Sequence, residues 1–336
     1  MAYTPTTTGL YTLAELEAAN PGSGVHPNVI HSIIDAQPLF DQAPLVRCND
    51  GSSNKTQIIT DYPDLQARSF NEGVDPVKSH SKTVVDSTAM FAGYSVIDAN
   101  MLKRNGNSAQ WRADQEAAFT RGFANGMARR VFQSALGADI KEFDGFGARY
   151  STKCDQVINA SVGKNPAAND ELTDIWLIDW SKTTVHLIYP DKGLAGLVTT
   201  DRGEQDAYDE KGRRFRAYIT DYEWDLGLAV EDPRRVIRIA NVNITALKKD
   251  PINAGIDLQT LMIRAQERIP DALGAQAAWY LPSSVTEALR LQILQTPRLV
   301  LTPDQVAGRR VETYAGVPVH RLAKEVIGTY KTKLDV

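Results

Sequence analysis

The amino-acid sequence predicts an α+β fold, and three features of the chain lead to that prediction. A single long amphipathic helix is predicted over residues 108–136, and a long, largely polar β-ribbon precedes it. The second half of the chain mixes strand-like and helix-like segments. These segments lack the regular βαβ rhythm of a doubly wound parallel sheet, so α+β is preferred over α/β.

Residues 1–53 are predicted to form an arm of short elements. A capping box that begins at Thr12 predicts one short helix, and a second short helix is expected over residues 28–34. Pro38 and Pro44 are expected to force the chain that follows into an extended conformation. These pieces are too short to close a hydrophobic core of their own.

Residues 54–99 are predicted to form the ribbon. β-Prone composition occurs in four segments, at residues 57–60, 66–70, 83–87 and 90–97. The segment Asn71-Glu72-Gly73 is typical of the bend at the tip of a hairpin. Because a two-stranded ribbon is only marginally stable in water, we expect it to lie on the body of its own chain or on a neighbouring chain.

The predicted long helix can be capped by Asn107 or Ser108, and Gly137 is expected to stop it. Gly122 and Gly126 weaken the helix locally, which indicates a bend or the close approach of another backbone. Apolar side chains recur at every fourth position and define one stripe that is expected to face the core: Phe119, Phe123, Met127, Val131 and Ala135.

The second half of the chain alternates between element types. Strands are predicted at residues 175–178, 184–189, 213–220, 223–231, 235–242 and 311–322. Helices are predicted at residues 257–269 and 284–295, and a short helix is expected to begin at Thr302. The acidic residues 201–212 are predicted to form a polar loop, and a solvated loop is favoured over a cation site because the carboxylates lack the spacing of a calcium loop.

Composition and charge exclude several classes of protein. The 336 residues include 37 basic and 41 acidic side chains, and the formal charge of −4 argues against a strongly basic nucleic-acid-binding protein. No segment approaches the roughly 20 consecutive apolar residues that span a bilayer. Residues 1–10 also lack the pattern of a secretory signal. The sequence therefore predicts a soluble intracellular protein with no membrane partner.

No pattern of residues indicates catalysis. Gly163 and Lys164 lack the other residues of a phosphate loop, and none of the five histidines stands at the i, i+4 spacing of a helical metal site. Cys48 and Cys154 are expected to be reduced thiols without a function. We therefore predict no catalytic residue, no cofactor and no metal site.

Two basic clusters allow two interpretations. Arginines alternate with apolar residues in Arg213-Arg214-Phe215-Arg216 and again in Arg234-Arg235-Val236-Ile237-Arg238. Such clusters can contact nucleic acid, or they can form the polar face of a strand whose other face is buried. We favour the strand interpretation, in which adjacent acidic residues neutralise the arginines within the fold or across an interface.

Four stretches of this sequence together form a family pattern. The first stretch is Arg68-Ser69-Phe70-Asn71-Glu72-Gly73-Val74, and the second is the long helix followed by Phe143-Asp144-Gly145-Phe146-Gly147-Ala148-Arg149-Tyr150. The third contains Ile175-Trp176-Leu177, Asp201-Arg202-Gly203 and Arg238-Ile239-Ala240-Asn241, and the fourth is Gly316-Val317-Pro318-Val319. In their order and spacing these stretches resemble tailed-bacteriophage major capsid proteins with the Hong Kong 97-type fold. Pro233 departs from the family pattern and puts strand pairing there in doubt.

The resemblance implies a domain organisation. Residues 1–53 are implied to be the N-terminal arm, and residues 54–92 the extended-loop β-hairpin that reaches over a neighbouring subunit. Residues 93–174 are implied to form the peripheral domain with the long spine helix at 108–136. Residues 175–300 correspond to the axial domain and connecting strands, and residues 301–336 return to the peripheral domain.

The resemblance also implies a structural role, in which hexamers and pentamers of this chain close the icosahedral head shell around the phage DNA. Assembly is implied to take place in the host bacterial cytoplasm. Scaffold, portal and decoration proteins are the other implied partners, and the packaged double-stranded DNA is contacted weakly. The candidate subunit-interface residues are Arg68, Phe70, Asn71, Glu72, Lys78, Lys82, Arg213, Arg214 and Arg234. The alternatives are a nanocompartment shell of the same fold that encloses cargo enzymes, and an α+β enzyme with an unrecognised site.

Overall fold

The computed structural model describes residues 37–104, 109–161, 166–208, 212–295, 302–306 and 309–336. The short helices predicted in the arm at residues 12–20 and 28–34 lie outside the described residues, as does the loop that contains Gly163 and Lys164. The described residues form a mixed α and β structure built on two sheets, which agrees with the predicted fold class.

The strands of the described residues are numbered in chain order. They are β1 Leu45–Arg47, β2 Ser53–Asp61, β3 His80–Asp98, β4 Val157–Asn159, β5 Leu172–Asp179, β6 Val185–Tyr189, β7 Val198–Tyr208, β8 Arg214–Val230, β9 Val236–Asn243, β10 Ala277–Pro282, β11 Thr302–Val306, β12 Arg309–Tyr314 and β13 Val317–Leu322. The α-helices are Leu39–Gln42, Ala99–Arg104, Ala109–Gln133, Phe146–Arg149, Ile244–Lys249, Leu258–Gln266, Ser283–Gln295 and Lys324–Ile327.

The first sheet is built around the long strand β8. One edge of β8 pairs with β3, and the other edge pairs with β7 and then with β6. β2 extends the sheet beyond β3, and β1 extends it beyond β6 by parallel pairing. The long helix Ala109–Gln133 covers one face, and its buried residues Ala124, Ala128 and Phe132 belong to the same apolar cluster as Trp224 of β8.

The second sheet has seven strands in the order β11-β12-β13-β10-β5-β9-β4. Its central strands β5, β9 and β10 are buried along their whole length, as expected for strands covered on both faces. One face packs on helices Leu258–Gln266 and Ser283–Gln295 in a second apolar cluster. The other face contributes Trp176, Ile178 and Tyr280 to the cluster beneath the long helix, so the two sheets share one core.

The ribbon extends from the first sheet. β2 and β3 pair from Ser53↔Ser87 to Asp61↔His80, and the chain between them lacks regular secondary structure except for a turn at Phe70 and Asn71. Asn71 has a φ of 64°, which confirms the predicted bend at the tip. The strand predicted at residues 66–70 is absent, because no other strand of the described chain lies beside it.

The long helix ends at Gln133, three residues before the predicted end. Its apolar face also differs from the prediction, since Ala124, Ala128 and Phe132 are buried beside Met127 and Val131 whereas Phe119 is 40% exposed. Of the two predicted possibilities, a bend or a close approach, the close approach is not found at Gly122 among the described residues, because a Cβ atom built there would meet none of their heavy atoms within 4 Å.

The close backbone contact of the long helix occurs instead at Gly145. A Cβ atom on this residue would lie 2.6 Å from the carbonyl oxygen of Arg130 and 2.7 Å from that of Val131. The amide of Gly145 donates a hydrogen bond to the carbonyl of Ser134, at 2.9 Å. The segment that follows the helix therefore folds back across its last turn, and this contact requires a residue without a side chain.

Three local predictions are corrected by the observed strands and helices. Residues 201–208 belong to strand β7 rather than to a loop, because their acidic side chains face arginines of β8. The helix expected from Thr302 is strand β11, whose proline is tolerated because β11 lies at the edge of its sheet. Pro38 and Pro44 do not enforce extended chain throughout, because Leu39–Gln42 forms one helical turn between them that buries Phe40.

Pro233 does not disturb strand pairing. It begins a short 3-10 helix, Pro233–Arg235, that connects β8 to β9. The carboxylate of Asp232 caps this helix by accepting a hydrogen bond from the amide of Arg234, at 3.1 Å. A proline fits the first turn of a helix because no partner is needed for its missing N–H.

Candidate subunit interface

The ribbon concentrates exposed apolar side chains. Leu65 is 95% exposed, Phe70 is 100% exposed and Tyr62 is 72% exposed. Isolated exposed apolar residues are common on soluble proteins, but a group of them on one protruding segment marks an interaction surface. The ribbon beyond Asp61 therefore has the composition of a segment that is buried against another molecule.

The candidate residues on the ribbon fall into two groups. Arg68, Phe70, Asn71 and Glu72 lie together at the tip, where the carboxylate of Glu72 accepts a hydrogen bond from the amide of Ser69, at 2.9 Å. Lys78 and Lys82 lie on the returning side. All six candidate side chains are exposed.

The base of the ribbon is fixed to the body by buried polar contacts. Asp86, which is 3% exposed, forms a 2.7 Å ion pair with Arg149 and accepts a hydrogen bond from the amide of Val230. On the paired strand, the amide side chain of Asn54 donates to the carboxylate of Glu231, at 3.3 Å. Breaking a buried charged contact is costly, so the base is held rigidly while the tip projects into solvent.

The remaining candidate arginines lie away from the ribbon. Arg214 forms a 3.4 Å ion pair with Asp206 of β7, and Arg234 forms a 2.9 Å ion pair with Asp232. Arg213 is exposed and directly precedes β8. The pairing of Arg214 and Arg234 within the chain agrees with the favoured interpretation, in which acidic neighbours neutralise the basic clusters.

The third arginine of the second cluster has a structural role that the sequence did not reveal. Arg238 is 5% exposed, donates to Asp174 at 2.6 Å and donates to the carbonyl of Tyr150 at 2.8 Å. Asp174 also accepts a hydrogen bond from the hydroxyl of Tyr330, at 2.7 Å. This buried group joins the segment after the long helix, the second sheet and the C-terminal segment. Its members are distant in the sequence, so no local pattern identifies it.

Two buried histidines and one buried cysteine have environments that favour their neutral forms. Burial lowers the pKa of His186. Burial also lowers the pKa of His320 to about 4. Burial and the negative charge of Asp191 raise the pKa of Cys48 to about 11, so its thiol stays protonated and is a poor nucleophile.

Cys48 and Cys154 are both free thiols. Within the described ranges, no group of three or more His, Cys, Asp and Glu side chains could hold a metal ion. In the same ranges, no helix has the length and apolar character needed to cross a membrane.

The fold and the projecting ribbon agree with comparisons to known proteins. The family model of the major capsid protein GP7 matches residues 22–325. The chain belongs to this family. It is therefore a structural shell protein of the bacteriophage capsid, and the predicted Hong Kong 97-type fold is confirmed. A search of the curated proteins found no match.

The chain is similar to several solved structures, and the first of them supports the same assignment. The bacteriophage Epsilon15 structure is 25% identical to this chain, with a TM-score of 0.67, and the similarity covers 84% of this chain and 85% of that one. The bacteriophage JBD30 capsid is 8% identical, with a TM-score of 0.48 over 87% and 91% of the two chains. The SrpI encapsulin of Synechococcus elongatus PCC 7942 is 11% identical, with a TM-score of 0.41 over 68% and 95%. The last two are too distant to support an argument about function.

Proposed function

We propose that copies of this chain associate as hexamers and pentamers, and that each copy contacts a neighbour through the ribbon at residues 54–92. The observation that carries this proposal is the exposure of the ribbon's apolar side chains, with Phe70 at 100%. In a single copy, the exposure of these apolar side chains to water is unfavourable in free energy. A shell makes the same contact many times, so each contact can be modest while the assembly is stable.

The implied domain organisation remains part of this proposal. The arm at residues 1–53, the extended loop at 54–92, the peripheral domain at 93–174, the axial segment at 175–300 and the return at 301–336 stay predictions. Strand pairing supports close contact between the proposed segments. β3 pairs with β8 of the axial segment along eleven positions, from Thr88↔Gly227 to Asp98↔Ala217. The candidate interface role of Arg213, Arg214 and Arg234 likewise stays a prediction.

The partners and the place of assembly are proposed on the same basis. We infer that the shell forms in the host bacterial cytoplasm and encloses double-stranded DNA, with scaffold, portal and decoration proteins as further partners. The formal charge of −4 suits a container that contacts DNA weakly, because tight DNA binding requires many basic phosphate contacts. No catalytic role is proposed. Of the two shell functions, the virus is favoured over the nanocompartment by the match to the capsid family.

Deletion of residues 66–82 tests the role of the ribbon. We expect the shortened chain to fold and stay soluble but to form no closed shells, as judged by sedimentation and negative-stain microscopy. The point variant Phe70→Ser should weaken assembly without lowering the stability of the isolated subunit, because its side chain makes no contact in the free chain. Leu294→Ser is the matched control, since Leu294 is 78% exposed and lies outside the ribbon, in helix Ser283–Gln295. Normal shells from the deletion would refute the proposal.

A further inference from the structure

Most arginines of the two basic clusters are neutralised within the chain. In the first cluster, Arg214 and Arg216 form ion pairs with Asp206. In the second cluster, Arg234 forms an ion pair with Asp232. Such pairs reduce the positive charge that a cluster presents to an anionic partner. A contact site for such a partner is therefore expected at arginines that have no acidic neighbour.

The exposed face of the long helix carries two arginines of this kind. Arg121 and Arg129 are exposed, and among the described residues their side chains form no ion pair or hydrogen bond. Between residues 117 and 133 the helix contains three arginines and no acidic residue. The third of them, Arg130, forms a 3.0 Å ion pair with Glu142. Because the whole chain has a formal charge of −4, this face is a local concentration of positive charge on an acidic protein.

Arg121, Asn125 and Arg129 form one row, because residues four apart lie on the same face of an α-helix. These three residues are called the helix row. The Cα atoms of the two arginines are about 12 Å apart, at about 1.5 Å per residue. Between them, the side-chain oxygen of Asn125 accepts a hydrogen bond from Gln37, so the amide nitrogen of Asn125 is left as a donor. The helix row therefore presents mainly hydrogen-bond donors to solvent.

Small residues flank the helix row. Ala117, Ala118 and Gly122 are exposed, so the two guanidinium groups extend further from the helix than their neighbours do. Phe119 lies on another side of the helix, where its ring stacks on Tyr222 of β8. Protein partners are usually anchored by large aromatic and apolar side chains, and this face has none. A nucleic-acid backbone, in contrast, is bound through positive charge and hydrogen-bond donors.

The spacing of the helix row fits the phosphates of a DNA duplex. Each strand of B-DNA carries one phosphate per roughly 3.4 Å of its axis, so 12 Å corresponds to phosphates about three to four base pairs apart. Arginine and asparagine both donate hydrogen bonds to phosphate oxygens in protein–DNA complexes. Base edges are read by side chains that enter a groove, and alanine and glycine beside the row cannot do so. The expected contact is therefore independent of DNA sequence.

We propose that Arg121, Asn125 and Arg129 form a contact site for the phosphate backbone of double-stranded DNA on the exposed face of the long helix. The two arginines neutralise phosphates, and the amide of Asn125 donates a hydrogen bond between them. Two charge contacts bind weakly in one subunit, and they become effective because a shell repeats the row in every copy. The proposal requires this face of the helix to line the interior of the shell. It rests on the proposed enclosure of DNA and assigns the contact to named residues.

The salt dependence of DNA binding tests the helix row in the isolated subunit. Binding of a fluorescein-labelled duplex of mixed sequence is measured by anisotropy over a range of salt concentrations. The logarithm of the binding constant falls with that of the salt concentration by about 0.9 per phosphate contact, so Arg121→Gln combined with Arg129→Gln should reduce this slope by about 1.8. The matched control combines Arg264→Gln with Lys248→Gln, which removes the same charge from exposed positions of two other helices.

We expect the control to keep the wild-type slope and both double variants to keep the wild-type melting temperature. Equal slopes for the helix-row variant and the wild type would overturn the proposal. Absence of measurable binding by the wild type at low salt would overturn it as well.

Chemical modification of arginines in assembled particles of the unaltered chain identifies what covers the helix row. Phenylglyoxal modifies accessible guanidinium groups, and mass spectrometry gives the rate at each position. We expect Arg121 and Arg129 to react several times more slowly in DNA-filled particles than in empty ones, with Arg264 as a reference that is unaffected by DNA. Equally fast reaction in both kinds of particle would overturn the proposal. Slow reaction in both would show that a protein segment covers the row, and this result would overturn it too.

This inference and the proposed function fail in different ways. Particles that contain protein cargo and no DNA would refute the proposed enclosure of DNA. Particles that contain DNA, together with an unchanged salt slope for the helix-row variant, would leave the proposed function intact and refute the DNA site. Charge reversal by Arg121→Glu with Arg129→Glu should lower the DNA content of the particles without lowering the yield of closed shells. A loss of shells instead of DNA would assign the row to a contact between subunits and overturn the inference.

Discussion

Replacement of Gly145 by alanine should destabilise the subunit by closing a backbone contact that has no space for a methyl group. Gly145 has φ −79° and ψ 179°, a conformation that any residue adopts, so alanine is excluded by contact and not by backbone strain. The new Cβ atom would lie 2.6 Å from the carbonyl oxygen of Arg130 and 3.2 Å from the amide nitrogen of Ser134. These atoms belong to the end of the long helix, and they cannot rotate away as a side chain could.

The size of this destabilisation depends on how far the segment around Gly145 has to move and on what packs against it. The segment has to retreat by about half an ångström or more before the contacts reach ordinary van der Waals separation. The next residue, Phe146, is fully buried against the rings of Phe132, Trp176 and Trp180, at centroid distances of 5.7–5.9 Å. Its displacement disturbs this packing, so we expect a loss of about 3 kcal/mol in the free energy of unfolding.

Urea unfolding of the isolated subunit, followed by tryptophan fluorescence, measures this effect because two tryptophans contact Phe146. Gly122→Ala is the matched control, since its methyl group meets nothing within 4 Å and alanine favours the helix by up to about 1 kcal/mol. We expect the unfolding midpoint to fall for Gly145→Ala and to rise slightly for Gly122→Ala. Equal midpoints for Gly145→Ala and the wild type would refute the contact described between the two backbones.

Two further predictions concern the interior. Phe123→Asp should lower the free energy of unfolding by about 2–3 kcal/mol, because it places a carboxylate against the ring of Tyr222. An unchanged melting temperature would show that the core face of the helix is assigned incorrectly. Lowering the pH from 7 to 5 should reduce the free energy of unfolding by about 2 kcal/mol through His320. The pKa of this residue is about 4 in the folded chain and about 6.5 in the unfolded chain. Its contribution to stability is therefore complete above about pH 6.5 and is lost as the pH falls toward 4. His320→Phe keeps the stacking on Tyr280 and should flatten this dependence, and a slope equal to that of the wild type would contradict the assignment.

The long helix shows how far an apolar stripe can be followed from sequence alone. Residues four apart advance by 400° around an α-helix, so a row of them drifts by about 40° at each step. Phe119 and Ala135 are therefore on nearly opposite sides, and one core cannot cover both. The buried face is centred on Ala128 and Phe132, and the stripe crosses it only at Met127 and Val131. The existence of the helix could be predicted, whereas its buried face depended on where the first sheet lies.

The acidic strand β7 could not be predicted because its stability depends on its register. Asp206 lies opposite Arg216 of β8, and Glu204 forms a 3.2 Å ion pair with the same arginine. In sequence Asp206 and Arg216 are ten positions apart, and the acidic segment alone has the composition of a solvated loop. β-Propensity is largely a property of the neighbouring strand, so it becomes visible only when the pairing is known.

Two sequence predictions were not met within the described residues of one subunit. Among these residues, segment 66–70 has the composition of a strand but pairs with no strand, and Gly122 has the conformational cost of a helical glycine but no neighbour within 4 Å that requires it. Natural sequences are mostly consistent between local preference and final structure, and exceptions concentrate at functional sites. Both exceptions are explained if a second copy supplies the missing contacts, which is what the proposed assembly requires. Local preferences that one subunit leaves unmet then mark the places where the assembly has to be tested.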